Sequence, residues 1–315
     1  NSALPILFST LLAEGTHTFK NVPKLRDIDS TSELLKSLSC DTEWTGDTLR
    51  VKVKKSTNME AHYDLVRKMR ASILCLGPLL AKYGEAVVSM PGGCAIGTRP
   101  IDLHLDGMRA LGAEITLAEG YVKATAKKLK GATFTFETTT VGGTENVLMA
   151  ATLAEGTTIL ENAAKEPEIV DLANYLIAMG AKIKGHGTSV ITIEGVPELK
   201  AAEHSIMSDR IEAGTLLIAG AITKGEVTVN KINPDHIDSL IVKMREAGFK
   251  ISTEKDSVTV HKALGWKAVD VTTNPYPLFP TDLQAQYMAL MAVAEGTSVI
   301  SETVFENRFM HVQEL

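Results

Sequence analysis

Eleven residues, Met90-Pro91-Gly92-Gly93-Cys94-Ala95-Ile96-Gly97-Thr98-Arg99-Pro100, carry the most reactive combination of groups in the chain. Three glycines and two prolines exclude a helix or a central strand, because glycine admits positive φ and proline fixes φ and removes a donor. The segment is therefore a loop holding one thiol. Arg99, five residues after Cys94, is near enough to stabilise a thiolate or to bind an anion beside it. The pattern alone leaves two readings open: a surface loop with an incidental cysteine, or a reactive thiol with an anion-binding guanidinium. Cys75, inside the apolar run Ile73-Leu74-Cys75-Leu76, is expected to be inert, and Cys40, following a helix, to be close to an ordinary thiol. A second candidate is Thr281-Asp282-Leu283-Gln284, which reads as a capping box with Thr281 as N-cap and Gln284 at the third helical position. Asp282 then either complements the helix dipole or acts as a general base. Arg70 likewise either pairs with a carboxylate at a helix start or holds a ligand.

The elements that must position these groups repeat along the chain. Leu12-Ala13-Glu14-Gly15-Thr16 recurs as Leu153-Ala154-Glu155-Gly156-Thr157 and as Val293-Ala294-Glu295-Gly296-Thr297. Weaker copies stand at Lys82–Glu85 and Thr223–Glu226, giving a period of roughly 70 residues. A second marker runs in phase: Leu111-Gly112-Ala113, Met179-Gly180-Ala181 and Ala247-Gly248-Phe249. Each unit reads as an apolar helix ended by glycine, a β-branched strand, an amphipathic helix ended by the second glycine, and two short strands. Thr144–Leu153 and Thr281–Val293 are first helices of this kind, and Leu283–Met291 is apolar enough to be buried around its circumference. Pro167–Met179 is a second helix, with Ile169, Leu172, Ala173, Leu176 and Ile177 on one face. The fold class is α/β (α+β), built from α-β-α-β-β units. Three units end near residue 207, so 1–207 is expected to be a complete first domain and 208–315 a partial second one of about one and a half units.

Composition narrows the class further. The chain has 315 residues, 44% hydrophobic and 22% charged, with a net charge of −6. That is an ordinary globular composition at a length suited to two domains. No basic stripe with interleaved aromatics is present, which argues against nucleic acid as a partner, and Lys123, Lys127, Lys128 and Lys130 read as a solvated face. No stretch is apolar enough for a membrane span and no signal peptide opens the chain. The three cysteines form no C-x-x-C pair, so neither zinc nor a disulfide framework is indicated, and a reducing compartment fits. Trp44 and Trp266 flank turns and read as packing residues.

The string Pro-Gly-Gly-Cys-Ala-Ile-Gly-Thr-Arg-Pro resembles the active-site loop of the UDP-N-acetylglucosamine enolpyruvyl transferases (1-carboxyvinyltransferases) of bacterial peptidoglycan synthesis. Asn1–Ile6, Phe279–Gln286 and Glu306–Val312 resemble the same family, in the family's order, so the resemblance spans the chain. It implies inside-out α/β barrel domains of three units each, with helices buried and sheets facing outward. It also implies that helix N-termini point into a cleft between domains, where their free N–H groups favour anions.

For activity, the resemblance implies a cytoplasmic transferase that moves the enolpyruvyl group of phosphoenolpyruvate to the 3-hydroxyl of UDP-N-acetylglucosamine and releases phosphate, with no metal or organic cofactor. Cys94 is then the general acid and the residue alkylated by fosfomycin, and Asp282 the general base at the sugar hydroxyl. Substrate contacts fall on Asn1, Arg70, Arg99, Pro100, Ile101, Asp102, Leu103, Thr140, Val141, Gly142, Asp282, Val304 and Phe305. Thr138 and Thr140 depart from the lysine and serine of some members, and His104 reads as a structural or supporting residue. The family's lysine before Asn1 and its arginine- and aspartate-bearing segments after Leu315 are absent, so the 315 residues alone are expected to bind the UDP-sugar poorly and not to turn over. Two alternatives remain: the shikimate-pathway enolpyruvyl transferase, which lacks the Pro-Gly-Gly-Cys loop, and a non-catalytic paralogue that senses UDP-sugar.

Overall fold

A computed structural model describes residues 1–56, 58–66, 69–90 and 101–315. The loop Pro91–Pro100, with Cys94, Arg99 and Pro100, lies outside the described residues. The chain divides between Met207 and Ser208 into two compact units, each with its own hydrophobic core.

The first unit holds three copies of one motif. The first copy comprises α1 (Ala3–Ser9), β1 (Gly15–Lys20), α2 (Arg26–Ser37), β2 (Cys40–Thr45), β3 (Thr48–Val53) and β4 (Glu60–Ala61). The second adds a short α3 (Tyr63–Val66) and a 3-10 turn, Arg70–Cys75, before α4 (Leu76–Tyr83). It continues as β5 (Glu85–Ser89), α5 (Asp102–Ala110), β6 (Glu114–Ala118), β7 (Tyr121–Thr125) and β8 (Thr133–Thr135). The third runs α6 (Val141–Ala151), β9 (Thr157–Glu161), α7 (Pro167–Ala178), β10 (Lys182–Lys184), β11 (Val190–Glu194) and β12 (Glu203–Ser205). Each motif therefore has one strand more than the α-β-α-β-β expectation. That strand leaves its own copy and pairs in parallel with the first strand of another: β4 with β5, β8 with β9, and β12 back with β1. Three four-stranded sheets result, and the last pairing closes the set.

The helices divide as their sequences dictate. In α6 every residue from Gly143 to Ala151 is buried, α1 is buried at all but Leu4, and α4 is buried over its first five residues. By contrast α2 and α5 bury one face each. A helix that is apolar all round belongs inside, and an amphipathic one lies between core and solvent. Gly84 ends α4, and Gly248 ends the helix Asp238–Ala247 of the second unit, both in left-handed conformation (φ +76° and +105°), which residues with side chains rarely adopt.

The second unit contains α8 (Arg210–Ile222), β13 (Val227–Asn230), α9 (Asp238–Ala247), β14 (Ile251–Thr253), β15 (Ser257–Val260) and β16 (Val271–Thr272). It then runs through a 3-10 turn, Thr281–Leu283, into α10 (Gln284–Ala292) and β17 (Ile300–Ser301). The same exchange recurs as β16 pairing in parallel with β17. Two expectations fail here and in the first unit. Helix α10 is buried on one face, through Gln284, Tyr287, Leu290 and Met291, and not around its circumference. Cys40 is not an ordinary thiol: as the first residue of β2 it is 2% exposed, and burial, with Asp41 beside it, pushes its pKa up to about 12. Cys75 is fully buried and is also pushed up to about 12, chiefly by burial.

Close approach of α4 to α6 depends on Gly77, where an added Cβ would sit 2.4 Å from the Asn146 carbonyl oxygen and 2.6 Å from its Oδ1. Since backbone cannot yield as a flexible side chain can, Gly77→Ala is predicted to destabilise the first unit by about 1–3 kcal/mol, the usual cost of overpacking. Urea unfolding measures this, and an unchanged midpoint would show that the helix spacing is not set by this glycine.

Candidate active site

In the first unit, three of the expected ligand segments sit at the starts of helical elements. Arg70 opens the 3-10 turn before α4, Ile101–Leu103 begins α5, and Thr140–Gly142 begins α6. The Thr140 hydroxyl caps α6 by accepting the Gly143 N–H at 3.3 Å. His104 brings these segments together. A Cβ on Gly142 would lie 3.2 Å from its Cε1, and its pKa is lowered to about 4 by burial and by the positive charge of Arg70.

The tautomer of His104 follows from its neighbour. Asn146, mid-way along α6, accepts the Gly77 N–H at 2.8 Å through Oδ1, which fixes its amide orientation. Its Nδ2 donates to the Ile73 carbonyl at 3.0 Å and lies 3.1 Å from His104 Nδ1. An amide nitrogen only donates, so Nδ1 is the acceptor and the proton sits on Nε2. Sequence reasoning passed over Asn146; the available signal was the polar run Thr144-Glu145-Asn146 within a helix otherwise made of small and apolar residues.

Asn1 is exposed, while the next residue, Ser2, is buried and donates to Asp171 Oδ2 at 2.5 Å. Asp171 also accepts from His204 Nε2 at 2.8 Å and from the Met207 N–H at 3.2 Å. The chain start and the last residues of the unit thus share one carboxylate. Nearby, the carboxyl of Glu145 is pushed up to about 8 by burial and by the negative charges of Glu168 and Glu166.

The second unit holds Asp282, Val304 and Phe305 in one cluster with two residues to which no role was assigned from sequence, Glu302 and Arg308. The capping box at Thr281 does not form. Pro280 occupies the N-cap position, and the Thr281 hydroxyl instead donates to Glu302 Oε2 at 2.7 Å. Gln284, expected to complete the box, has neither side-chain amide atom hydrogen-bonded. Glu302 Oε1 accepts from Thr273 Oγ1 at 2.8 Å, Val304 N–H at 2.8 Å and Phe305 N–H at 3.1 Å. Burial would raise the Glu302 pKa, but these hydrogen bonds outweigh it and hold the carboxyl below its ordinary value. Asp282 Oδ1 pairs with Arg308 Nη2 at 2.7 Å, and the Arg308 guanidinium lies 5.7 Å from the Phe305 ring centroid. Cys94, Arg99 and Pro100 lie outside the described residues.

Comparison with known proteins first gives the class. The sequence model of the EPSP synthase (3-phosphoshikimate 1-carboxyvinyltransferase) family matches residues 1–315. The fold is similar to the crystal structure of the enolpyruvyl transferase NikO from Streptomyces tendae, with a TM-score of 0.88 at 22% identity over 100% of this chain and 75% of that one. It is also similar to EPSP synthase from Acinetobacter baumannii, with a TM-score of 0.68 at 19% identity over 95% of this chain and 71% of that one. At these identities the fold alone is shown, and it is that of the enolpyruvyl transferases.

Two sequence relatives narrow this. A UDP-N-acetylglucosamine 1-carboxyvinyltransferase from Bdellovibrio bacteriovorus is 75% identical over 100% of this chain and 76% of its own length. One from Myxococcus xanthus is 58% identical with the same coverage. The chain belongs to the UDP-N-acetylglucosamine 1-carboxyvinyltransferase family, a family of transferases. Among the described residues, no helix is long and apolar enough to cross a membrane.

The depressed His104 pKa carries a pH signature. The unfolded imidazole takes up a proton below about 6.5, whereas the folded one resists protonation down to about 4. Stability from this site is therefore full above 6.5 and falls as the pH drops toward 4, at up to about 1.4 kcal/mol per pH unit. Thermal unfolding of His104→Gln is predicted to lose less stability than wild type between pH 7 and pH 4.5; parallel pH dependences would remove His104 as the source.

Proposed function

We propose that this protein transfers the enolpyruvyl group of phosphoenolpyruvate to the 3-hydroxyl of UDP-N-acetylglucosamine, the first committed step of peptidoglycan synthesis, in the bacterial cytoplasm. The observation that carries this reading is the 75% identity to a 1-carboxyvinyltransferase of that substrate over the whole chain. The shikimate-pathway alternative has behind it the EPSP synthase family model over residues 1–315 and a fold similarity at 19% identity, whereas the relatives at 75% and 58% identity are both named for UDP-N-acetylglucosamine.

In this reading Asp282 removes the proton of the 3-hydroxyl, and the freed oxygen bonds to C2 of phosphoenolpyruvate. Cys94 delivers a proton to C3, giving a tetrahedral intermediate. Loss of a proton from C3 and cleavage of the C2–phosphate bond then release the enolpyruvyl ether and inorganic phosphate. The Arg308 ion pair supports the role of Asp282 by fixing the direction of its carboxylate next to Val304 and Phe305, which line the sugar. Arg70, Ile101–Leu103 and Thr140–Gly142 bind the nucleotide part, where helix starts offer N–H groups to phosphate oxygens. Arg99 and Pro100 continue that segment, and Asn1 contributes from the start of α1.

The thiols give the test. With Cys40 and Cys75 buried and both near 12, only Cys94 is left to react. In the full-length protein, fosfomycin is expected to label the Cys94 peptide and neither the Cys40 nor the Cys75 peptide. Cys94→Asp keeps turnover and escapes labelling, because an acid role needs a proton donor and not sulfur. Cys94→Ala loses about 10²–10⁴-fold in rate. Phosphate release with UDP-N-acetylglucosamine and none with shikimate 3-phosphate is the expected specificity. Full activity in Cys94→Ala, or turnover of shikimate 3-phosphate instead, would overturn the reading.

A further inference from the structure

The Glu302 carboxylate has a role the reaction itself does not require. It gathers four donors from three places in the second unit: the Thr281 hydroxyl beside Asp282, the Thr273 hydroxyl just past β16, and the N–H groups of Val304 and Phe305. The anchor beneath it is rigid. Thr273 is fully buried, and its hydroxyl accepts the Thr303 N–H at 3.0 Å while its carbonyl accepts the Thr303 hydroxyl at 2.5 Å. One hydroxyl is thus both donor to Glu302 and acceptor from the turn that Glu302 holds. Main-chain pairing continues into this anchor, since the Thr273 N–H donates to the Ser301 carbonyl at 2.9 Å.

We propose that Glu302 is a positioning residue for the transfer reaction. Its carboxylate locks the turn bearing Val304 and Phe305 to the Thr281–Asp282 helix start, and so holds the sugar-lining residues in register with the base. This rests on the function proposed above. Glu302 acts through Thr281, Thr273, Val304 and Phe305, and a carboxylate satisfied by four donors within its own unit has little capacity left for substrate. Both of its oxygens accept, and an alanine at this position removes both acceptors, leaving the Val304 and Phe305 N–H groups without the carboxylate that joins them to Thr281. A glutamine is the conservative change, because its carbonyl oxygen can still accept from those N–H groups while its NH2 donates to the Thr281 hydroxyl, which turns to accept.

The test uses the full-length protein and two independent variants, Glu302→Ala and Thr273→Val, with Thr273→Ser as the conservative control that keeps the hydroxyl. The expected result has two parts. For Glu302→Ala and Thr273→Val, kcat/KM for UDP-N-acetylglucosamine falls about 10- to 100-fold, the scale of a small misplacement at a reacting centre, with the KM for phosphoenolpyruvate unchanged. Amide exchange at Val304 and Phe305 accelerates at least about tenfold in the same variants, as expected when a protecting hydrogen bond is lost. Thr273→Ser retains both properties. Rapid exchange with kcat/KM within twofold of wild type would overturn the proposal, leaving only a structural role. Lost kcat/KM with unchanged exchange would also overturn it, because Glu302 would then act on substrate directly. If wild type fails to use UDP-N-acetylglucosamine, the functional reading fails, while the exchange data still decide whether Glu302 holds the turn.

Discussion

Parallel pairing between the last strand of one repeat and the first strand of another is the constraint on which the first unit depends. Lone strands of two or three residues are not stable elements, and their N–H and C=O groups must find partners somewhere. Here they find them next door. Pairing of Thr18, Phe19 and Lys20 with Glu203, His204 and Ser205 closes the three sheets into a set without a first or last member. With sheets outside, the apolar helices α1, α4 and α6 have only one place to go, and glycines such as Gly77 let them approach closely. Closure also carries the chain end of the unit, through His204 and Met207, to the same Asp171 carboxylate that holds Ser2 at its start.

A core filled with helices makes any polar residue within it consequential. Asn146 satisfies two backbone groups from the neighbouring helical turn and fixes which nitrogen of His104 carries its proton. Glu302 plays a corresponding part in the second unit, where one carboxylate gathers backbone and side-chain donors from three segments. In both cases a buried or half-buried polar group joins segments distant in sequence, and the segments it joins are those that bear the expected ligands.

Much of this was legible in the sequence because helix termination is local chemistry. The glycines at 84 and 248 announce left-handed helix ends whatever surrounds them, and each belongs to a series of glycines recurring about every 70 residues, Gly15, Gly84, Gly156, Gly225 and Gly296 in one and Gly112, Gly180 and Gly248 in the other. The exchanged strands were not legible: Glu60–Ala61 and Val271–Thr272 are too short to show alternation, and their partners lie in other repeats. The capping box failed for a related reason. Thr281-Asp282-Leu283-Gln284 has the right spacing, but Glu302, some twenty residues on, captures the threonine hydroxyl before the helix can use it. Cys40 was misjudged because its burial is set by strand β2 packing on the core and not by its neighbours in sequence. Asp282, Val304 and Phe305, expected from the resemblance to meet the sugar, lie in one cluster, whereas Arg308 and Glu302 became visible only through their contacts.

The account rests on Asp282 being the group that meets the sugar hydroxyl, with Arg308 and Glu302 holding its surroundings. The measurement that tests this most directly is a crystal structure of the full-length protein with UDP-N-acetylglucosamine bound. The account predicts a carboxylate oxygen of Asp282 within about 2.6–3.2 Å of the 3-hydroxyl, with Val304 and Phe305 against the sugar and the Glu302 hydrogen bonds intact. A sugar bound with its 3-hydroxyl beyond hydrogen-bond reach of Asp282, and in reach of a different base, would contradict it.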